Sequence, residues 1–343
     1  MFIDLRKYAL WSCLLAALLI AACAPPAEEQ PRPEPVTLKV LLLPYLSFAP
    51  FFIAEEEGYF AEQGLEIEFI RMARNLEAIP ALAQGEIDVV AGSVTINTLN
   101  AIAHGARLRY VADKGYFDPT GCGTYSAIMA RRSLMEAGEL DDPTRMQGRR
   151  IAMYTAGASE YLVDTILGSA GLTMNDIEIA DVPAPTMADA FGDGTIDLAV
   201  ISEPWITRIQ DTGNAAVWMP FAQVLPDFQW VLIQYGPSLL DENPDAGRRF
   251  LVAYLKAVRQ YNEGKTERNI AIVSKATGLD ETLLTEVCWP SFRDDGSVNM
   301  HSVLDYQAWA VERGYLDTPV TEEQLWDPSF VEQANEVLEG LSP

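Results

Sequence analysis

Two α/β lobes, each built on a doubly wound sheet, are the fold class this sequence predicts. Three observations lead there. A chain of 343 residues with 49% hydrophobic content is long enough for about two domains. One stretch occurs twice: residues 82–93 read Leu-Ala-Gln-Gly-Glu-Ile-Asp-Val-Val-Ala-Gly-Ser, and residues 191–202 read Phe-Gly-Asp-Gly-Thr-Ile-Asp-Leu-Ala-Val-Ile-Ser. Aligned on Gly85 and Gly194, both run Gly-x-Ile-Asp, four small or apolar residues, then Ser. What precedes each copy also agrees: strand, helix, Gly-Leu (Gly64-Leu65 and Gly171-Leu172), strand, helix. Agreement over the whole order points to a repeated architecture.

Each part of the repeat has a physical role. The glycine can end a helix in a left-handed conformation that costs other residues more. The Ile-Asp and the apolar run suit a strand covered on both faces. Ser93 and Ser202 then fall at the carboxyl ends of those strands, the edge where open α/β sheets bind ligands.

In chain order, residues 36–43 form the first strand, ending at Pro44. Tyr45 to Phe52 opens a helix, with Ser47 a candidate cap and Pro50 in the first turn, where its missing N–H costs nothing. A helix that starts at a strand's carboxyl edge points free N–H groups at whatever fills the cleft. Tyr45, Phe48 and Phe51 could meet that ligand, while Phe52, Tyr59 and Phe60 read as core. A strand over 66–70, a helix over 75–85, a strand over 87–92, a helix over 94–104 capped by Ser93 or Thr95, and a strand over 108–113 follow. His104 at that helix's end reads as a favourable dipole contact. The segment 114–125, with Gly115, Pro119, Gly121 and Gly123, crosses to the second lobe. That lobe holds strands over 126–130, 150–154, 176–181, 196–201 and 215–219, a helix-opening loop at 154–160, and the loop Ser202-Glu203-Pro204-Trp205. The chain returns near 226–229, forms a strand over 230–235, and is helical beyond Pro237. Phe250, Leu251, Tyr254, Leu255 and Val258 share one face there. Two crossings make a two-strand hinge able to close on a ligand. The expected division is lobe 1 from residues 36–117 and 227–343, and lobe 2 from 118–226.

Formal net charge is −25, spread along the chain. Such a surface repels phosphate backbones, so nucleic acid is excluded as a partner. Residues 1–22 read as a secretory signal: Arg6 and Lys7 lead an apolar stretch that ends in small residues. The run Leu19-Ile20-Ala21-Ala22-Cys23 resembles the bacterial lipobox, which implies lipidation of Cys23. Residues 23–35, rich in Pro and Glu, form an extended tether. The expected location is outside the cell membrane, anchored as a lipoprotein at its outer face or in the periplasm. Cys122 and Cys288 remain in the mature chain. In an oxidising compartment they could pair, or Cys288 could be a buried small residue beside Trp289.

Phe51-Phe52-Ile53-Ala54, Glu57-Gly58-Tyr59-Phe60 and Gly64-Leu65-Glu66-Ile67-Glu68 together resemble the opening of the nitrate/taurine/aliphatic-sulfonate class of ABC-transporter substrate-binding proteins. Gly85-Glu86-Ile87-Asp88 resembles a strand of that class, and Asp295-Gly296-Ser297-Val298-Asn299, Gln307-x-Trp309 and Asp327-Pro328-Ser329-Phe330-Val331 resemble its C-terminal helical region. The class also contains binders of thiamine pyrimidine precursors. The resemblance implies a type II periplasmic-binding-protein-like fold with C-terminal helices, a ligand in the cleft, and delivery by a monomer to an ABC permease and its ATPase subunit. No cofactor and no metal are implied.

A sulfonate or nitrate needs donors, yet the cleft loops carry Asp113, Glu160 and Glu203 with Lys114 as the one cation. Aromatic residues (Tyr45, Phe48, Tyr116, Tyr154, Trp205, Trp230, Tyr235) favour stacking on a planar solute. The expected ligand is therefore planar or heterocyclic and neutral or cationic, such as a vitamin precursor. The alternative is a sulfonate- or nitrate-type anion. The candidate contacts are Tyr45, Ser47, Phe48, Ser93, Tyr116, Tyr154, Ser159, Glu160, Glu203 and Trp205. Aromatics would stack, the serines would donate hydrogen bonds, and Glu203 would anchor an N–H or cation. For the carboxylates, stabilisation of helix N-termini is the competing reading. An enzyme on the same fold is the other rival. His104 and His301 lie outside the cleft loops, and no metal-binding His-Glu-x-x-His or Cys-x-x-Cys spacing occurs. Cys122, between Gly121 and Gly123, is the best nucleophile candidate, with no catalytic residue assigned.

Overall fold

The computed structural model describes residues 35–43, 45–72, 78–155 and 157–340. The expected signal, Cys23, nearly all of the tether and the first residues of the 75–85 helix lie outside them. Among the described residues, ten strands form two five-stranded sheets. The first holds β1 (Val36–Leu42), β2 (Leu65–Arg71), β3 (Val89–Ser93), β4 (Arg109–Tyr116) and β10 (Gln229–Tyr235) in the order β2-β1-β3-β10-β4. The second holds β5 (Ser126–Arg131), β6 (Arg150–Ala152), β7 (Glu178–Ala180), β8 (Leu198–Ser202) and β9 (Ala215–Pro220) in the order β7-β6-β8-β5-β9. Their strand orders correspond one to one.

The repeat explains why. Gly85 and Gly194 have φ of 73° and 77°, the left-handed turn a glycine permits. Asp88 and Asp197 then do the same job. Each carboxylate accepts a backbone N–H from the neighbouring strand: Lys39 N to Asp88 at 2.8 Å, and Arg150 N to Asp197 at 3.0 Å. Each aspartate N–H also returns a bond to the same residue's carbonyl, at 2.9 Å in both lobes. The Gly-x-Ile-Asp unit thus sets the register between β1 and β3, and between β6 and β8.

Each sheet is mixed rather than wholly parallel. β10 runs antiparallel to β3 and β4, and β5 runs antiparallel to β8 and β9. These strands arrive straight from the crossings, without the helical crossover that a parallel neighbour needs. The crossings pair with each other: Phe117 N donates to Phe228 O (3.0 Å) and Asp227 N to Phe117 O (2.8 Å). The Phe117 ring packs against Phe221, Phe228 and Trp230 there.

Apolar helices cover the first sheet. Helix Pro244–Tyr261 is capped by Asn243, which accepts from Ala246 N at 3.2 Å, and opens with Pro244. Its predicted apolar face is buried whole, with Phe250 and Tyr254 against Phe51 and Phe60. Helices Met187–Gly192 and Trp205–Asp211 supply Met187, Phe191, Ile206 and Ile209 to a separate core under the second sheet. Among the described residues no helix is long and apolar enough to cross a membrane.

Candidate functional site

A cavity of about 310 Å³ lies where the carboxyl ends of corresponding strands from the two sheets meet. After β1 come Leu43, Tyr45, Ser47 and Phe48, and after β6 come Met153, Tyr154 and Thr155. Ser93 ends β3 and Ser202 ends β8, as the repeat requires. Lys114 of β4, Trp230 of β10 and Tyr125 of the first crossing complete the inner wall, with Ile179 and Asp181 on the second-sheet side. Helix Ala158–Ser169 presents its first turn, Gly157 to Ser159, and Gly157 makes no side-chain cap bond. Thr95 forms an isolated antiparallel bridge with Gly157 across the cavity, while its hydroxyl caps helix Ile96–Ala103 by accepting from Thr98 N at 3.2 Å.

Lys114 is the electrostatic centre. It is 0% exposed. Its ammonium donates to Ser47 Oγ at 2.8 Å and sits 3.6 Å from the centre of the Phe48 ring. Among the described residues no carboxylate forms an ion pair with it, and burial holds it well below the ordinary lysine value against the pull of nearby Asp113. Asp113 precedes Lys114 in β4, where the pairing with β10 shifts register between Val231 and Leu232, and its carboxylate is held among other partners. It accepts from Gly115 N (2.9 Å), Arg293 N (2.8 Å) and Gln229 Nε2 (2.6 Å). Burial raises the Asp113 carboxyl, opposed chiefly by the Arg293 guanidinium at 3.7 Å. Ser47 does not cap its helix; a short 3-10 turn, Leu46–Phe48, precedes helix Ala49–Glu56, and the hydroxyl serves Lys114 instead. Burial also pushes the Tyr125 phenol up, partly offset by the neighbouring Ser47 hydroxyl.

Of the ten predicted contacts, Tyr45, Ser47, Phe48, Ser93, Tyr154 and Ser159 line the cavity. Four do not, and each is engaged elsewhere. Tyr116 lies under the Arg293 guanidinium, 3.9 Å from its ring centre. Glu160, 4% exposed, accepts from Tyr315 OH at 2.5 Å and so raises that phenol to about 12. Glu203, 2% exposed, accepts from Thr207 N (3.0 Å), Thr207 Oγ1 (2.9 Å) and Cys288 N (3.4 Å). Burial raises its carboxyl, and the Thr207 bonds pull it back. Trp205 packs on the second core beneath the Arg208 guanidinium. The preference for a neutral or cationic guest rested on Asp113, Glu160 and Glu203, none of which lines the cavity. Its wall carries Lys114 and Asp181 instead. Trp230, Lys114 and Ser202 had signals in the sequence: Trp230 as an aromatic at the start of a strand, Lys114 as the one cation of the cleft loops, and Ser202 as the repeat's terminal serine. Tyr125 and Asp181 carried none.

Cys122 and Cys288 form a disulfide with a Cα–Cα distance of 5.8 Å. That bond removes Cys122 as a free nucleophile.

A family model described as NMT1/THI5 like matches residues 46–263, more than half of the chain. A binding protein of Brucella abortus (strain 2308) is 22% identical over 236 residues, 68% of this chain and 68% of its own. The ligand-binding component of an ABC-type import system from Staphylococcus aureus superposes with a TM-score of 0.72 at 15% identity, covering 87% of this chain and 99% of that one. The periplasmic aliphatic sulphonate-binding protein of Escherichia coli gives 0.68 at 18% identity, covering 87% and 93%. A desulfurization enzyme shares the fold at a TM-score of 0.61 and 14% identity, covering 88% and 99%. The architecture is the two-lobed periplasmic-binding-protein-like fold.

Proposed function

The chain belongs to the NMT1/THI5-like family, and we propose that it is an extracytoplasmic solute-binding protein that hands a small molecule to an ABC importer. The observation that carries this reading is the cavity itself: about 310 Å³ bounded by equivalent strand ends of two sheets, a size and position suited to one small ligand. Residues 36–117 with 227–343 act as one lobe and 118–226 as the other, closing about the paired crossings. Residues 1–22 direct export, Cys23 carries the lipid, and the following Pro-rich segment tethers a monomer to the membrane surface. The partners are a permease and its ATPase subunit.

The guest is a planar, ring-bearing solute. Tyr45, Phe48, Tyr154 and Trp230 supply aromatic surface, and Ser47, Ser93 and Ser159 supply hydrogen bonds. The protein is a binder, in line with relatives named binding proteins; the likeness to a desulfurization enzyme extends to the fold alone. A thermal-shift screen of heterocycles, organic acids, sulfonates and cations tests this. A guest held only by the native state at 100 times its Kd adds about 2.7 kcal/mol of stability. Tyr154 is 40% exposed, so Tyr154→Ala should keep the fold and lose much of that gain. A hit recovered chemically changed after incubation would convert the reading to an enzyme.

A further inference from the structure

We propose, resting on the solute-binding reading above, that the guest is a flat conjugated carboxylic acid, held with its carboxylate on Lys114 and its ring among the cavity's aromatic side chains. An ammonium sealed from water without a counter-charge is costly. Lys114 is fully buried, and the protein gives it one hydroxyl, Ser47, and the face of Phe48. Neither cancels its charge. An ammonium has three donors, so hydrogen-bonding capacity remains after Ser47 is served. Asp113, the nearest carboxylate along the chain, is held by the backbone and guanidinium of Arg293 instead. An anionic group arriving with the guest completes the arrangement with a short charge-assisted bond.

The rest of the wall decides what kind of acid. Tyr125 stands beside Ser47, whose hydroxyl serves it as well as Lys114, so the docking point offers one ammonium and one phenol, a small set suited to a planar two-oxygen group. Beyond it the cavity is mostly aromatic and aliphatic, too large for a bare inorganic anion to fill and shaped to reward a ring with two π-faces. At the second-sheet side Asp181, an exposed residue, lines the wall. Among the described lining residues there is no second cation for another acidic group on the same molecule. The guest is thus a mono-acid with one apolar, conjugated body.

The test is calorimetric titration of the mature protein with benzoate and indole-3-carboxylate, with benzamide and indole-3-carboxamide as neutral matches. Cyclohexanecarboxylate serves as a non-planar acid and nitrate as a bare anion. At least one planar acid should bind tenfold or more tightly than its amide, its non-planar counterpart and nitrate. In Lys114→Met the acid should lose thirtyfold or more while the amide changes less than threefold. Ser47→Ala, which keeps the ammonium, should weaken the acid three- to tenfold and guards against a misfolded first variant. Amides binding as tightly as acids, an acid-to-amide ratio unmoved by Lys114→Met, or no planar acid binding below millimolar Kd would each overturn the inference. The broader reading is judged separately, by mass spectrometry of guests carried through native purification. An unaltered small molecule of any other charge keeps the solute-binding reading without the acid. Chemical conversion of bound guests removes both.

Discussion

Asp164 offers a sharp test of how the cavity is held together. It sits one turn beyond Glu160 in helix Ala158–Ser169, whose first turn lines the cavity. It is 6% exposed and accepts from Trp309 Nε1 at 2.7 Å and from the Arg313 guanidinium at 2.5 Å. Trp309 belongs to helix Met300–Glu312, which packs against β10 and helix Ile96–Ala103 of the first-sheet region. Asp164→Ala leaves a buried indole N–H without its acceptor, costing about 1–3 kcal/mol. The Arg313 side chain is 43% exposed, so that pair is screened and adds only about 0.2–1 kcal/mol. A total of about 1–4 kcal/mol should lower Tm by roughly 2–6 °C in a chain of this size. Asp164→Asn keeps a carbonyl for the indole and should cost less than about 1 kcal/mol, the surface-pair value. A double-mutant cycle with Trp309→Phe, followed by urea titration, should return a coupling of about 1–2 kcal/mol. Equal losses for Asp164→Ala and Asp164→Asn, with no coupling to Trp309, would refute the assignment.

Three further measurements follow from the same geometry. Burial lowers the Lys114 pKa in the fold, so between that depressed value and about 10.4 the unfolded chain binds more protons and native stability rises with pH. Asp113, Tyr125 and Tyr45 are the titratable groups around it and its hydroxyl partner, and all remain in Lys114→Met. The stability of the wild type relative to that variant, from urea titrations at pH 7 and 9, should therefore increase with pH; a flat difference would show that the ammonium is not buried. The Cys122–Cys288 bond spans 166 residues, and its loss in Cys122→Ala/Cys288→Ala should lower stability by about 2–4 kcal/mol, read as a lower urea midpoint that added reductant no longer changes. Asp88→Asn and Asp197→Asn should both destabilise by weakening the same strand bond, by about 1 kcal/mol for the first. The second should cost more, because Asp197 also pairs with Arg131; a silent Asp88→Asn would break the parallel between the two copies of the repeat.

The parts of the molecule legible in the sequence are those fixed by neighbours along the chain. Gly85 and Gly194 announce their left-handed turns, and the apolar runs after them announce covered strands ending at Ser93 and Ser202. The parts that were not legible depend on distant partners. Glu160 reads as a cleft residue until Tyr315 takes its carboxylate, and Glu203 until Thr207 and the backbone of Cys288 do. Ser47 has the sequence context of a helix cap, but a lysine 67 residues away captures its hydroxyl. Strand direction was hidden for a similar reason. β10 lies between β3 and β4, a placement set by where the second crossing ends rather than by its own residues. Asp113 and Lys114 show how adjacent charges part company: β4 shifts register against β10 at this point, and one charge enters a structural ion pair while the other lines the cavity.

Helix Ala158–Ser169 joins these threads, because its first two turns serve the cavity and the contact with the C-terminal helices at once. Gly157, Ala158 and Ser159 line the cavity, Gly157 bridges to Thr95, and Glu160 and Asp164 hold Tyr315, Trp309 and Arg313. On the two-lobe reading proposed above, a guest that enters as the lobes part requires this helix to leave all of those partners together. Each side-chain bond to a charged group contributes about 1.5–3 kcal/mol at most, and the exposed Arg313 pair contributes less. Their sum is within reach of the ordinary stability gap between two conformers, a few kcal/mol that leaves the minor state populated at the per-cent level. A guest that touches the same first turn adds its binding free energy only to the closed arrangement, and shifts the balance by that differential alone. Weakening the outer contacts with Asp164→Ala should accordingly speed guest release in stopped-flow displacement, because the guest must then hold the lobes together with fewer allies. An unchanged release rate would separate the cavity from this helix's outer contacts and leave Asp164 a purely structural residue.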